Sequence, residues 1–156
     1  LTRMQAVAAT APEDLPLLLL DTGPAAALGA RDDSQVARHQ QRLILNLGNM
    51  HTLCFHLKET RIRGLFEHHT HLMTTPRLDS MVERLRQGSL TNQVVFDGEG
   101  HGCYIRESHP DTDFLAVTGG CTTHFQAAHV PPADMKEFQI AFRDRSALIG
   151  NDVDLE

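Results

Sequence analysis

The sequence has no surplus of basic residues and no long apolar run. Its 14 lysines and arginines are outnumbered by 20 aspartates and glutamates, which gives a formal net charge of −6 with the histidines neutral. Proteins that bind nucleic acid non-specifically neutralise phosphates with Lys and Arg, so this acidic chain predicts no nucleic-acid partner. No apolar stretch approaches the roughly 18 residues needed to span a bilayer, so we expect no membrane partner either.

Cysteine is also scarce. Cys54, Cys103 and Cys121 are the three cysteines of the chain, and they lie far apart. This spacing forms neither a disulfide framework nor a CxxC metal-binding pair, and it fits a reducing cytoplasm. The apolar run Leu17–Leu20 is too short for the core of a signal peptide, which favours the same compartment.

Length and composition are typical of one soluble globular domain. The chain has 156 residues, of which 41% are hydrophobic and 22% are charged, enough to bury a core of its own. It begins with Leu1, and its first residues resemble a tail. We therefore expect a tail over residues 1–14 and a single domain over residues 15–156, as part of a larger protein.

Short apolar runs and alternating patterns predict a β-sheet. The predicted strands are Leu17–Leu20, Leu43–Leu47, residues 53–57, Arg61–Phe66, Val94–Phe96 and Phe114–Val117. Three of them follow one another closely over residues 43–66, which predicts an antiparallel meander.

Helix signals separate these strands. Pro24 and the residues Ala25–Leu28 favour a helix, and Thr75-Pro76 opens another, which ends at Gly88. The apolar face of this second helix consists of Leu78, Met81, Val82 and Leu85. After Phe114–Val117 we expect a short helix and a further helix from about Ala133, while 146–156 has no assignment. The order predicts an α/β domain with a mixed sheet flanked by helices.

Glycine turns follow three of the predicted strands. They are Asn46-Leu47-Gly48, Asp97-Gly98 and Thr118-Gly119-Gly120. Ligands of open α/β sheets bind at the carboxyl ends of the strands, where glycine lets backbone N–H groups approach an anion. The three turns together predict a small-molecule ligand that carries phosphate.

Several segments resemble the second half of actin-like ATPases, the superfamily of actin, heat-shock chaperone ATPases and sugar kinases. These segments are PAAALGARDD, LILNLGNMHTLCFHL and FLAVTGG. NLGNMHTLCFHL, IRGLFEHHT and VVFDGEGHG are similar to a bacterial and archaeal family of that superfamily, often labelled as related to pyruvate formate-lyase activating enzyme. The resemblance implies a ribonuclease H-like fold that forms one half of an ATP-binding cleft. The partner is then the N-terminal half of the same protein, and the cofactor is ATP or ADP with magnesium.

The resemblance also implies roles for individual residues. Gly48 and Asn49 would form a phosphate loop, with His51 and the hydroxyl of Thr52 beside it. Gly119 and Gly120 would face adenosine. Asn46 occupies the position where the superfamily carries an aspartate that serves magnesium, and a neutral amide does so poorly. Nucleotide binding is therefore a stronger expectation than phosphotransfer or ATP hydrolysis.

Histidines and carboxylates form a second group of candidate cleft residues. They are Glu67, His68, His69, Asp97, Glu99 and His101. Histidine with carboxylate suits Zn²⁺, Mn²⁺ or Fe²⁺, yet the spacing matches no HExxH motif. Adjacent strand residues such as His68 and His69 point to opposite faces and cannot share an ion unless the chain turns there. We therefore assign no metal ligands, and we predict that folding needs no tightly bound transition metal.

Three other functions remain as alternatives or are rejected. Asp21-Thr22-Gly23 resembles the active-site turn of retroviral-type aspartic proteases, which would require a homodimer. A non-catalytic ligand-binding module of the actin-like fold is a closer alternative, because Asn46 replaces the aspartate that serves magnesium in the superfamily.

An activase that uses adenosylmethionine needs closely spaced cysteines for an iron–sulfur cluster. Three distant cysteines provide no such cluster, so we reject that activity.

Overall fold

A computed structural model describes residues 2–112 and 114–120 and the backbone of 137–140. Its helices are α1 (Thr2–Thr10), α2 (Thr22–Asp32), α3 (Ser34–Ala37), α4 (Thr75–Gln87) and α5 (Asn92–Asp97). Its strands are β1 (Gln41–Leu47), β2 (His51–Lys58), β3 (Arg61–His69), β4 (Gly102–Ile105), β5 (Phe114–Thr118) and β6 (Glu137–Ile140). No helix within these residues is long and apolar enough to cross a membrane.

The strands form one mixed sheet in the order β4-β3-β2-β1-β5-β6. Strands β1 to β4 pair antiparallel, so the predicted meander over residues 43–66 is confirmed. Strand β5 pairs parallel with β1 and with β6. The α/β class with a mixed sheet flanked by helices is therefore also confirmed. Asn46 of β1 is opposite both Leu53 of β2 and Thr118 of β5.

Each face of the sheet has its own core. One face packs against α4 and α5 through a cluster that includes Leu45, Cys54 and Phe66. The other face packs against α2 and α3 through a cluster that includes Ile44 and Phe55. Because successive strand residues point to opposite faces, each residue of β2 belongs to one of these two sides. We call them the α4 face and the α2 face.

Helix α4 forms as its sequence predicts. Leu78, Met81, Val82 and Leu85 are all buried against the sheet. Gly88 ends the helix with φ +73°, a left-handed conformation that glycine adopts without steric cost. Burial of these four side chains, worth about 1.5–3 kcal/mol each, provides the main attachment of α4 to the sheet.

Helix α2 confirms the prediction over Ala25–Leu28. Asp21 caps its start, and the backbone N–H of Thr22 donates to the Asp21 carboxylate at 2.8 Å. Small residues face the sheet, which lets the helix approach closely: a Cβ on Gly23 would lie 2.9 Å from a methyl carbon of Leu53. The first turn of α2 therefore lies directly above β2.

The prediction of a buried strand at Leu17–Leu20 is wrong. These residues belong to no strand of the sheet. Leu17, Leu18 and Leu20 are 48%, 78% and 42% exposed. An apolar run becomes a strand only where a neighbouring strand offers backbone partners, and this segment, preceded by Pro16, lies outside the sheet.

The strand predicted at Val94–Phe96 is also wrong, because this segment lies within helix α5. The Thr91 hydroxyl caps the helix by accepting from the N–H of Val94. Val95 packs into the core, whereas Phe96 is 53% exposed. A short apolar run is compatible with a strand and with a helix, and the capping hydroxyl of Thr91 favours the helix here. Strand β4, which follows at Gly102–Ile105, is not predicted from the sequence.

The two ends of the chain differ from the sequence-based expectation. Residues Thr2–Thr10, interpreted as part of a tail, form helix α1, none of whose residues is buried. The helix predicted from about Ala133 is wrong over Glu137–Ile140, which pair with β5 as strand β6. The short helix predicted after Gly120 and the unassigned stretch 146–156 lie outside the described residues.

Candidate functional site

A cleft of about 280 Å³ opens where β1 ends and α2 begins. Its walls come from the start of α2, the β1–β2 turn and the adjoining ends of β2 and β3. The lining residues are Asp21, Thr22, Gly23, Pro24, Asn46, Gly48, Asn49, Met50, His51, Leu53 and Glu67. The sequence-predicted residues Asn46, Gly48, Asn49, His51 and Glu67 thus lie together in one cleft.

Asn46 provides a buried polar group in the wall of this cleft. The residue is 1% exposed, and its side-chain Nδ2 has no hydrogen-bond partner among the described residues. The hydroxyl of Thr118, directly opposite on β5, is likewise buried without such a partner. Leaving a buried polar group unpaired costs about 1–3 kcal/mol, and the amide of Asn46 retains an unused hydrogen-bond donor among the described residues.

Hydrogen bonds fix the β1–β2 turn. The N–H of Gly48 donates to the carbonyl of His51 at 3.1 Å, which closes the hairpin. The carbonyl of Gly48 accepts from the hydroxyl of Thr70 at 2.6 Å. Among the described residues, the glycines with a positive φ are Gly88, Gly102 and Gly119. Gly48 is not one of them, so its backbone conformation does not require a glycine.

Thr52, expected to offer a hydroxyl to phosphate, lies elsewhere. It is fully buried on the α4 face, and its hydroxyl is 3.1 Å from that of Thr70. The alternation of β2 explains this placement: His51 and Leu53 line the cleft, so Thr52 between them points away. Its hydroxyl supports the turn through Thr70 and does not reach the cleft.

Gly119 and Gly120 follow β5 beside the end of β1. Gly119 has φ +110°, and a Cβ on it would lie 2.5 Å from the carbonyl oxygen of Leu47. Glycine is therefore required here by close backbone packing. Neither residue lines the cleft described above, although Thr118 places them at the same end of the sheet.

Two carboxylates give the cleft acidic character. Oε1 of Glu67, on β3, lies 3.1 Å from Nδ1 of His51. Asp21 faces the cleft from the start of α2. Both side chains offer oxygen ligands of the kind that magnesium prefers.

A cluster of three histidines adjoins the cleft. His51 starts β2, His69 ends β3 directly opposite it, and His101 immediately precedes β4. One ring nitrogen from each lies within 4.8 Å of the other two. The ring centroids are 5.3 Å apart for His51 and His69, 4.7 Å for His51 and His101, and 4.3 Å for His69 and His101. We call these residues the histidine triad.

Partial burial lowers the pKa of His69, and the neighbouring imidazoles of His101, His51, His71 and His68 lower it further. The lowered pKa favours the neutral imidazole of His69. Neutral imidazoles are the forms that ligate metals.

The remaining sequence-predicted residues belong neither to the lining of the cleft nor to the triad. His68 is fully buried on the α4 face, where its Nδ1 is 3.1 Å from the carbonyl oxygen of His69. Asp97 ends α5 and accepts from Gln93 at 2.6 Å. Glu99 is exposed with φ +64°. As the alternation of strand residues predicts, His68 and His69 lie on opposite faces of β3.

The structure also reveals a buried histidine for which the sequence predicts no role. His56 is fully buried on the α4 face, and its Nε2 lies 2.8 Å from the hydroxyl of Thr112. Its pKa is lowered to about 4, mainly by burial and also by the nearby charges of His109, Arg86 and Arg63. The alternation of β2, which places His56 beside Cys54, was the available signal that it points into the core.

The cysteines behave as small core residues. Cys54 is fully buried, and burial raises the pKa of its thiol. Cys103 is half-buried, with its pKa also raised by burial. Cys121 lies outside the described residues. Raised thiol pKa values disfavour the thiolate that acts as nucleophile or metal ligand.

Comparison with known proteins identifies the family. No curated protein and no solved structure matches the chain. The model of one family, described as "Putative pyruvate format-lyase activating enzyme (DUF1786)", matches residues 1–122. This match covers the cleft, the histidine triad and the sheet from β1 to β5, and the chain therefore belongs to the DUF1786 family.

Proposed function

We propose that this domain binds the phosphates of a nucleotide in the cleft between α2 and the β1–β2 turn, as one half of an actin-like ATP site. The observation that carries the proposal is the buried amide of Asn46. Asn46 lines the cleft, and its buried Nδ2 has no protein partner in the described part of the chain. A phosphate oxygen is an acceptor that would satisfy this donor.

The position of the cleft supports the proposal. It lies at the carboxyl end of β1, whose parallel neighbour β5 ends beside it at Thr118. Ligands of open α/β sheets bind at this edge. The 11-residue helix α2 directs its amino terminus toward the same cleft, where its dipole favours a negative charge. An antiparallel meander that continues into parallel strands also agrees with the proposed actin-like fold.

Two carboxylates would compensate for the absence, at position 46, of the aspartate that serves magnesium in the actin-like superfamily. Asp21 and Glu67 line the cleft, and hard oxygen ligands suit Mg²⁺, which retains several waters beside substrate phosphates. When bound, magnesium would neutralise phosphate charge that the two carboxylates would otherwise repel. Asp21 and Glu67 would hold the ion or its waters, while Asn46 would orient a phosphate oxygen.

The exposed leucines support a partner for this half-cleft. Leu15, Leu17, Leu18 and Leu20 are 62%, 48%, 78% and 42% exposed, and they lead directly to Asp21. Apolar surface of this kind is typical of an interface between domains. We propose that the preceding half of the same protein packs here and completes the cleft.

Binding without turnover is the alternative function, favoured by the amide at position 46. An aspartic protease is disfavoured, because Asp21 caps a helix whose first turn packs on β2.

We also propose that the family description as an activating enzyme does not apply to this chain. Its buried Cys54 and distant Cys103 and Cys121 offer no cysteine motif for an iron–sulfur cluster.

The test is calorimetric titration of the full-length protein with ATP, ADP and inorganic phosphate in the presence of Mg²⁺. Gly48→Val adds a branched side chain at the cleft, without requiring a left-handed backbone, and should weaken ATP binding by at least about tenfold. Thr60→Val changes the turn at the other end of β2 and serves as the control. Equal ATP affinity in wild type and Gly48→Val would contradict the proposal. If the wild type binds ATP, an assay of phosphate release from ATP distinguishes an enzyme from a binding module.

A further inference from the structure

The geometry points to a transition-metal site on the histidine triad, and we propose that His51, His69 and His101 bind one zinc ion. This inference goes beyond nucleotide binding and does not depend on it. Three imidazole nitrogens within 4.8 Å of one another form the donor set. Three histidines and an open position are the ligand pattern of catalytic zinc sites.

The distances permit a bound ion after small side-chain movements. Zinc–nitrogen bonds of about 2.0–2.1 Å place tetrahedral ligand atoms roughly 3.4 Å apart. The ring nitrogens now lie within 4.8 Å of one another. To bind one ion they would have to approach one another by little more than about 1 Å, and rotation of the partly exposed rings can supply this movement. The backbone positions are rigid, because His51 and His69 pair directly across β2 and β3.

His101 is also held by the sheet. Its backbone N–H donates to the carbonyl of Glu67 at 2.9 Å, which places the third ring beside the other two. The triad thus combines residues from three separate segments on one hydrogen-bonded frame. Surface histidines that meet by chance on mobile loops lack such a frame.

Two further observations indicate a built site. The carboxylate of Glu67 lies 3.1 Å from Nδ1 of His51. A carboxylate that orients a histidine ligand from behind is a recurring feature of zinc sites. In addition, Nδ1 of His69 is buried and has no hydrogen-bond partner in the described residues. A ring nitrogen in this state is available to a metal or to a ligand-bound water.

The proposed ion would lie at the edge of the cleft, because His51 belongs to both sites and its neighbour Glu67 also lines the cleft. Nitrogen ligands suit zinc, whereas magnesium prefers oxygen. The triad therefore defines a site for a different metal from the one proposed beside the phosphates. Three protein ligands leave a tetrahedral ion one open position, which a water or an anionic oxygen would fill.

The test measures zinc alone, without nucleotide, on the full-length protein. The protein is stripped with a chelator, dialysed against zinc and assayed for bound metal by mass spectrometry, with affinity determined by competition. We expect one zinc per chain in the wild type. His101→Ala and His69→Ala should each weaken binding by at least about 100-fold, and Glu67→Gln by about 10- to 100-fold.

His109→Ala is the matched control. His109 is also partly buried beside a carboxylate, with its Nε2 3.6 Å from Glu107, but it lies next to His56 away from the triad. It should bind zinc as the wild type does, and circular dichroism should show that every variant is folded. Substoichiometric zinc in the wild type, unchanged affinity in folded His101→Ala, or equal loss in His109→Ala would each overturn the proposal. Because nucleotide is absent, none of these results bears on the proposed phosphate cleft.

Discussion

The two faces of the sheet use polar residues in different ways. On the α4 face, Thr52 and His56 are fully buried, and each has a hydroxyl partner within the protein. On the α2 face, Asn46 and His51 line an open cleft, and the amide of Asn46 lacks a partner among the described residues. Residues of similar chemistry on one hairpin therefore separate into a group buried in the core and a group that lines the cleft. The substitutions below test this separation.

The largest effect should follow from the loss of a buried histidine. His56→Ala leaves a cavity and removes the partner of the Thr112 hydroxyl, so we expect the free energy of unfolding to fall by about 2–4 kcal/mol. His101→Ala, at an exposed position, should change it by less than about 0.5 kcal/mol. Urea denaturation at pH 7 measures both values. Similar losses in the two variants would show that the two faces do not differ in this way.

Lowering the pH should reduce the stability of the protein through the same buried histidine, His56. The pKa of His56 is about 4 in the folded protein, below its ordinary value of 6.5. Its contribution to stability is complete above pH 6.5 and is lost as the pH falls toward 4, because the unfolded chain binds the proton first. We expect a loss of up to about 3 kcal/mol from this residue.

Urea denaturation between pH 7 and pH 4 measures that loss. His56→Gln keeps a polar side chain without a titrating ring, so its stability should vary less with pH than that of the wild type. Identical pH dependence in the two proteins would contradict the assignment.

A smaller effect is expected from Thr52→Val. The change removes the hydrogen bond to Thr70 and should lower the free energy of unfolding by about 1 kcal/mol. The sequence-based role of Thr52 in a phosphate loop predicts weaker ATP binding. Its position on the α4 face predicts unchanged ATP affinity instead. Calorimetry on the folded variant distinguishes the two roles.

The sequence predicts elements that carry a strong periodic pattern. Helix α4 and the strands β1, β2, β3 and β5 follow directly from apolar spacing. The pattern is ambiguous where a run is short: Val94–Phe96 forms a helix because Thr91 caps it, and Leu17–Leu20 has no strand to pair with. Strand β6 depends on pairing with β5, which local sequence does not encode.

The candidate site is only partly visible in the sequence. Asn46, Gly48, Asn49 and His51 are contiguous in a glycine turn, so a motif locates them. The histidine triad is not contiguous: His51 meets His69 through the register of two strands, and His101 joins through the pairing of β4. Metal-site spacing rules detect ligands that are close in sequence, and therefore they miss this arrangement.

The most direct test of the central claim is the ATP affinity of full-length Asn46→Leu, measured by calorimetry together with its stability in urea. If the buried amide is present for a phosphate, a leucine of similar shape removes an unpaired polar group, and stability should stay equal or rise. ATP affinity should fall by at least about tenfold, since one hydrogen bond to a charged group is worth about 1.5–3 kcal/mol. Unchanged ATP affinity, or a loss of stability with no loss of affinity, would contradict the account.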